Sequence, residues 1–188
     1  MSHGLLRDPS FHDFLFAADQ DLARKAGAAR CPSCGGKLHS ANFWRRPRGG
    51  LHRRGLRFSF CCAAEGCRKR QTPSSLRFLA RRVYLGAMVV LASSLLQGLT
   101  PERVERVTDS LGVSERTLVR WRRWWLCDFA QSGFWRGLRG LFAEPVACER
   151  LPASLIERFN GDERSRLVGM LRLLLPITGG KGLSVRAC

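Results

Sequence analysis

Apolar residues recur at helical spacing directly after Asp8-Pro9-Ser10, a helix-start signal: Phe11, Phe14, Leu15, Ala18 and Leu22 share one stripe, and the pattern ends near Gly27. The spacing predicts a helix over about 10–26, its apolar face packed on a neighbouring element. The pattern then changes. Short runs, Ala41-Asn42-Phe43-Trp44 and Leu56-Arg57-Phe58-Ser59-Phe60, lie between glycine turns at Gly35-Gly36 and Gly49-Gly50 and read as strands of a small hairpin. Pro73 and Ser74-Ser75 close this region and start a long helix predicted over 75–97, broken at Gly98.

Helical periodicity dominates the rest of the chain. Pro101 stands in the first turn of a helix ending near Leu111, with Val104, Val107 and Leu111 on one stripe. Gly112-Val113-Ser114 reads as a tight corner, and Ser114 as the cap of a helix running through Trp125. Leu118 and Trp121 face the first stripe, which leaves Glu115, Arg116, Thr117, Val119, Arg120 and Arg123 outward. Trp121 and Trp125 share a face and are expected to pack on the helix that holds Val83 to Gln97. Further helices are predicted near 128–142, 152–159 and 162–175. Leu155, Ile156, Phe159, Leu167, Met170, Leu171 and Leu174 make the last two amphipathic, which fits core packing and leaves a homodimer interface open.

Charge changes the picture from an ordinary helical protein to one with a polyanionic partner. The formal net charge is +17, from 28 Arg and 4 Lys against 15 acids, an excess that points to nucleic acid. Between Arg30 and Arg82 there are 14 basic residues and a single acid, Glu65. The stretch Val83–Pro101 runs 19 residues without a charge, but Ser93, Ser94, Gln97 and two glycines mark it as a buried helix and not a membrane span. A leader with a charged then an apolar region is not expected at the start, so the cysteines point to a reducing, cytoplasmic and nucleoid-associated setting.

Cysteine spacing supplies the chemistry. Cys31-Pro32-Ser33-Cys34 and Cys61-Cys62-Ala63-Ala64-Glu65-Gly66-Cys67 are two short turns joined by a hairpin, the arrangement that brings four sulfurs into a tetrahedron around structural Zn2+. Either Cys61 or Cys62 completes the set. Cys31, Cys34, Cys62 and Cys67 are favoured, because Phe60 then lies on the face of Cys62 and can cover the metal. His39 and His52 are the alternative ligands, and Cys127, Cys148 and Cys188 receive no role. These shifts divide the chain into an N-terminal helix over 1–29, a zinc ribbon over 30–74, a helix-turn-helix helical domain over 75–126, C-terminal helices over 127–176 and a mobile tail over 177–188. The fold class is mainly α with a small N-terminal β zinc ribbon.

In a helix-turn-helix the second helix enters the major groove of double-stranded DNA. Arg116 and Arg120 are the expected base readers, with Glu115 and Thr117 beside them. Arg103, Arg106, Arg122 and Arg123 are expected at phosphates, and Trp44 with Arg45, Arg46 and Arg48 on the ribbon. Cys31-Pro32-Ser33-Cys34-Gly35, Cys67-Arg68-Lys69-Arg70-Gln71-Thr72-Pro73 and Thr100-Pro101 through Trp125 resemble the zinc-ribbon plus helix-turn-helix module of bacterial insertion-sequence transposases and related mobile-element accessory proteins. The resemblance covers Arg30 to Trp125 and implies binding to element ends or a regulatory site, alongside a recombinase or transposase partner. Such transposases carry an acidic metal-binding triad in a further domain. Asp128, Glu144, Glu149, Glu157, Asp162 and Glu163 form no such arrangement, so no catalytic activity is expected. Two other readings remain: an assembly module of a recombinase, polymerase or defence complex with sequence-blind attachment, and an RNA-binding ribbon in which Trp44 stacks on an unpaired base.

Overall fold

The computed structural model describes residues 4–46, 55–79, 84–95 and 100–179. A short turn, α1 (Gly4–Arg7), leads into the long helix α2 (Pro9–Ala28), whose first turn is fixed by Asp8 accepting from the Ser10 amide at 2.9 Å. The buried stripe of α2 is Phe11, Leu15, Asp19 and Ala23. Phe14, expected on that stripe, is 37% exposed, and a carboxylate takes a core position instead.

Among the described residues the β region is two small antiparallel sheets. β1 (Leu38–Ser40), β4 (Phe60–Cys62) and β5 (Arg70–Gln71) form one in the order β1-β4-β5; β2 (Phe43–Arg45) and β3 (Gly55–Arg57) form the other. Leu38 faces Cys62 across the first ladder, and Trp44 faces Leu56 across the second. The expected strand over Leu56–Phe60 is therefore split. At the corner the Ala41 amide donates to Ser59 O (2.8 Å), and Asn42 Oδ1 accepts from the Ser59 amide (3.0 Å). Those bonds satisfy the backbone where both strands bend. The sheet rests on α2, where a Cβ added at Gly27 would come within 2.8 Å of the Phe60 ring.

Asp19 is the hub of the interior, 1% exposed. It accepts from Ser75 Oγ (2.5 Å), the Leu76 amide (2.7 Å) and Arg77 Nε (2.9 Å). Arg77 also donates to Leu56 O at 2.7 Å, with its guanidinium over the Phe16 and Phe78 rings at 4.6 and 5.0 Å. Arg57 donates to Pro73 O (2.7 Å) and Thr178 O (3.4 Å), and Thr178 Oγ1 accepts from the Ser75 amide at 2.8 Å. Burial pushes the Arg57 guanidinium down to about 10, against the opposing pull of Asp19. A buried charge holds its place only when paired and hydrogen-bonded, and this set meets that condition.

The hub corrects the helix predicted over 75–97. Ser75 Oγ accepts from the Arg77 and Phe78 amides, both at 3.1 Å, so the chain turns there and is not helical. Phe78 pairs with Leu85, and the helix α3 begins only at Gly86, running to Leu95. Residues 96 and 97, and Gly98 where the break was expected, lie outside the described residues. From Gly86 to Ser94 the helix α3 is buried all round, at the centre of the helical body, in contact with the elements that follow. Among the described residues no helix is long and apolar enough to cross a membrane.

Around α3 pack α4 (Pro101–Leu111), α5 (Glu115–Arg123), a π-helical turn (Trp124–Phe129), α6 (Gly133–Leu138), α7 (Ala153–Ile156), α8 (Glu163–Leu173) and α9 (Leu175–Thr178). The widened turn offsets the angular drift that i, i+4 spacing accumulates in an α-helix, which keeps Trp125 and Phe129 in the core behind Trp121. Trp121 meets Tyr84 edge-on at 4.8 Å. The helix predicted over 128–142 is interrupted because Ser132 Oγ donates to Phe129 O (2.7 Å) and caps α6 by accepting from the Trp135 amide (3.1 Å). Leu155, Ile156, Leu167, Met170, Leu171 and Leu174 are all buried in the same core, with Phe159 packed against it. The predicted mobile tail begins too early: Ile177 and Thr178 are each 4% exposed and held by the core and the hub, while residues 180–188 lie outside the described region.

Candidate metal centre and basic helix face

Two knuckles present the sulfurs. In the first, the Gly35 amide closes on Cys31 O at 2.7 Å and the Cys31 amide on Gly36 O at 2.9 Å. Gly35 takes φ +70°, a backbone conformation that side chains with a Cβ resist. In the second, the Cys67 amide donates to Ala64 O at 3.2 Å, while the Cys62 amide bonds Lys69 O at 3.1 Å and ties the knuckle to β5. The Sγ atoms of Cys31, Cys34, Cys62 and Cys67 all lie within 4.8 Å of one another, a group that could hold a metal ion. Cys34 and Cys62 are 3.4 Å apart and Cys31 and Cys67 3.8 Å, with all four thiols free. Four ligands about 2.3 Å from a tetrahedral ion stand about 3.8 Å from one another, so the cluster is near the required dimensions.

Cys61 stays outside the group. It faces His39 across the ladder, one residue out of phase with the Cys62–Leu38 pair, and its thiol donates to Arg68 O at 3.3 Å. His39 is exposed, and His52 lies outside the described residues. Phe60 and Ala64 pack on Cys31, Leu38 and Cys62, so an aromatic ring does lie against the cluster.

The electrostatics favour a cation among these sulfurs. Backbone N–H groups of Ser33 and Cys34, with help from the neighbouring thiols, pull the Cys31 thiol down to about 6. At Cys62 the Ala64 amide pulls the same way, but burial and the three adjacent thiols outweigh it and push this group up to about 12. Several thiolates this close repel one another, and a bound cation removes that cost.

The second candidate surface is built by α4, its corner and α5. Thr100 caps α4, and Gly112 ends it at φ +61°, its amide bonded to Thr108 O at 2.8 Å. Only a left-handed residue turns the chain this tightly, and Val113, 0% exposed, then plugs the angle between the helices. Ser114 stands at the α5 N-cap, but its hydroxyl meets Thr117 Oγ1 at 3.1 Å and caps no amide. Leu118 and Trp121 are buried against Val104, Val107 and Leu111 in one core.

Most of the arginines expected to face outward do so. Arg103 and Arg106 on α4, and Glu115, Arg116, Arg120 and Arg123 on α5, are exposed; Arg122 is half-buried. Among the described residues the ion pairs are Asp21–Arg24, Asp19–Arg77, Glu157–Arg150 and Glu144–Arg158, so no acid neutralises Arg116, Arg120, Arg122 or Arg123. Thr117 is a correction: it is 7% exposed, because it precedes Trp121 by one turn on the inward face. On the ribbon, Trp44 is 68% exposed and Arg46 is exposed. Arg45 is half-buried. Its guanidinium lies near the Phe43 and Phe78 rings, at 5.9 and 5.8 Å from their centroids. Arg48 lies outside the described residues.

The sequence reading missed Asp19, Arg57 and Arg77, the set that joins the cysteine module to the helices. Its one local signal is an acid at i+4 from Leu15 on an otherwise apolar stripe. No known protein family, curated protein or solved structure matches the chain.

Proposed function

We propose that the chain is a DNA-binding protein that combines a zinc ribbon with a helix-turn-helix, acting as a non-catalytic accessory or regulatory factor of a mobile element. Zn2+ would be held by Cys31, Cys34, Cys62 and Cys67. Four thiolates leave no open position for water or substrate, so the ion's contribution is to folding and not to a reaction.

The observation that carries the reading is the outward face of α5, where Arg116, Arg120 and Arg123 are exposed and, among the described residues, no acid is paired to them. An α-helix fits the major groove, where a guanidinium can donate two hydrogen bonds to O6 and N7 of guanine. Arg116 and Arg120 take that role, while Arg103, Arg106, Arg122 and Arg123 neutralise phosphates on either side. Glu115 sits at the N-terminal end of the same face.

Binding of the zinc-loaded protein to a random duplex-DNA library, with sequencing of the retained fraction, tests the reading. An enriched motif that is lost in the Arg116→Ala/Arg120→Ala double variant supports it. Retention without any motif removes base reading and favours a sequence-blind assembly module. The exposed Trp44 beside Arg46 supports a second reading, stacking of the ribbon on an unpaired base, which predicts preference for single-stranded RNA over duplex DNA.

A further inference from the structure

The outward face of α5 holds one residue that its charge does not explain. Val119 is 47% exposed and belongs neither to the core nor to the hydrophobic residues packed against it. A β-branched side chain is a poorer helix former than the alanine, lysine or glutamate an exposed position usually tolerates. The buried side of this helix is marked by Thr117, Leu118, Trp121 and Trp125. With about 100° between successive residues, the direction opposite that side is shared by Arg116, Val119 and Arg123, which fall within roughly 60° of one another. Val119 is thus a short apolar side chain near the midline of a basic face, between long side chains that reach past it.

We propose that Val119 is a specificity-determining residue that reads the C5-methyl group of a thymine in the major groove. The assignment rests on α5 lying in that groove, and deepens it by naming a base. Among the four base-pair arrangements, thymine alone presents a methyl group on the major-groove edge. The lengths also match: a guanidinium spans the gap from helix to base edge, whereas valine touches a base only where the helix comes near the groove floor, and Val119 stands about 35° from the line opposite the buried side. Val119 stands about 4.5 Å along the axis from Arg116 and about 6 Å from Arg123. Base pairs are spaced about 3.4 Å apart, so the thymine lies within two base pairs of a guanine read by Arg116.

The test starts from the motif enriched in the duplex library and replaces each thymine in turn by deoxyuridine, which removes only the methyl group. At one thymine within two base pairs of the Arg116-dependent guanine, the wild-type protein should lose roughly fourfold in affinity, the effect of exposing one methyl-sized group. Val119→Ala should bind the thymine and uracil duplexes equally at that position. Because the residue is exposed and alanine favours the helix, this variant should keep the wild-type unfolding midpoint. An enriched motif in which no uracil substitution matters, one without thymine near that guanine, or a Val119→Ala protein as methyl-sensitive as wild type each overturns the assignment and leaves base reading by arginine intact. A library that yields no motif overturns base reading itself, and the thymine contact with it.

Discussion

The cysteine module and the helical body are held together by different physics. The module has short strands, and its own buried cluster consists of Cys31, Leu38 and Cys62 with Phe60, Ala64 and Cys67 against it. The body encloses α3 from Gly86 to Ser94 and buries Trp121, Trp125, Phe129 and Trp135 to 1% exposure or less. Burial of apolar area scales with size, so a module this small needs a staple whereas the body does not. They are joined by the Asp19 hub, to which both regions contribute, and by Phe58 and Phe60 packed on α2.

Metal removal is the sharpest way to separate the two regions. A chelator, or Cys62→Ser, should abolish ordering of Leu38–Ser40 and Phe60–Cys62 while most of the helical circular dichroism survives. Structural zinc sites supply on the order of 10–16 kcal/mol of binding energy. Parallel collapse of the helical signal would mean that the body is not independent of the module. The reverse cut is Trp125→Ala, expected to cost about 3–5 kcal/mol in chemical unfolding of the body. It should leave metal affinity unchanged, and a large drop in that affinity would contradict the division.

Asp19→Ala tests the joint between them. It strands the Arg77 guanidinium without its carboxylate and should cost about 3–5 kcal/mol. Both the global unfolding midpoint and hydrogen-exchange protection around Leu56 and Leu76 should fall; a loss confined to one region would show that the hub is not shared. The smallest effect is expected at Cys61. Cys61→Ser should retain one metal per chain and a wild-type midpoint, because its thiol lies outside the four-sulfur group and donates to the backbone carbonyls of Cys62 and Arg68. Loss of metal in this variant would exchange the roles of Cys61 and Cys62.

These two regions also differ in how much of them was legible in the sequence. The gathering of four cysteines, and the phase that selects Cys62, follow from knuckle spacing and strand alternation, both local. The corner at Gly112 and the stripes of α4 and α5 are local in the same sense. The hub was not legible, since Asp19 finds Ser75 and Arg77 more than fifty positions away and Thr178 lies farther still. It in turn explains the misplaced start of α3, because Ser75 spends its hydroxyl on a turn that the local pattern reads as helix. Thr117 failed for a simpler reason: polarity suggested solvent, while its position on the helix turned it toward protein.

The hub also orders events during synthesis. As the chain emerges from the ribosome, α2 and the cysteine knuckles precede the segment around Ser75. The Ser75 amide, however, gains its bond to Thr178 Oγ1, and Arg57 its bond to Thr178 O, only once the helices between have been made. α2 and the cysteine knuckles therefore wait, incompletely closed, until the segment carrying Thr178, 103 positions beyond Ser75, has been made.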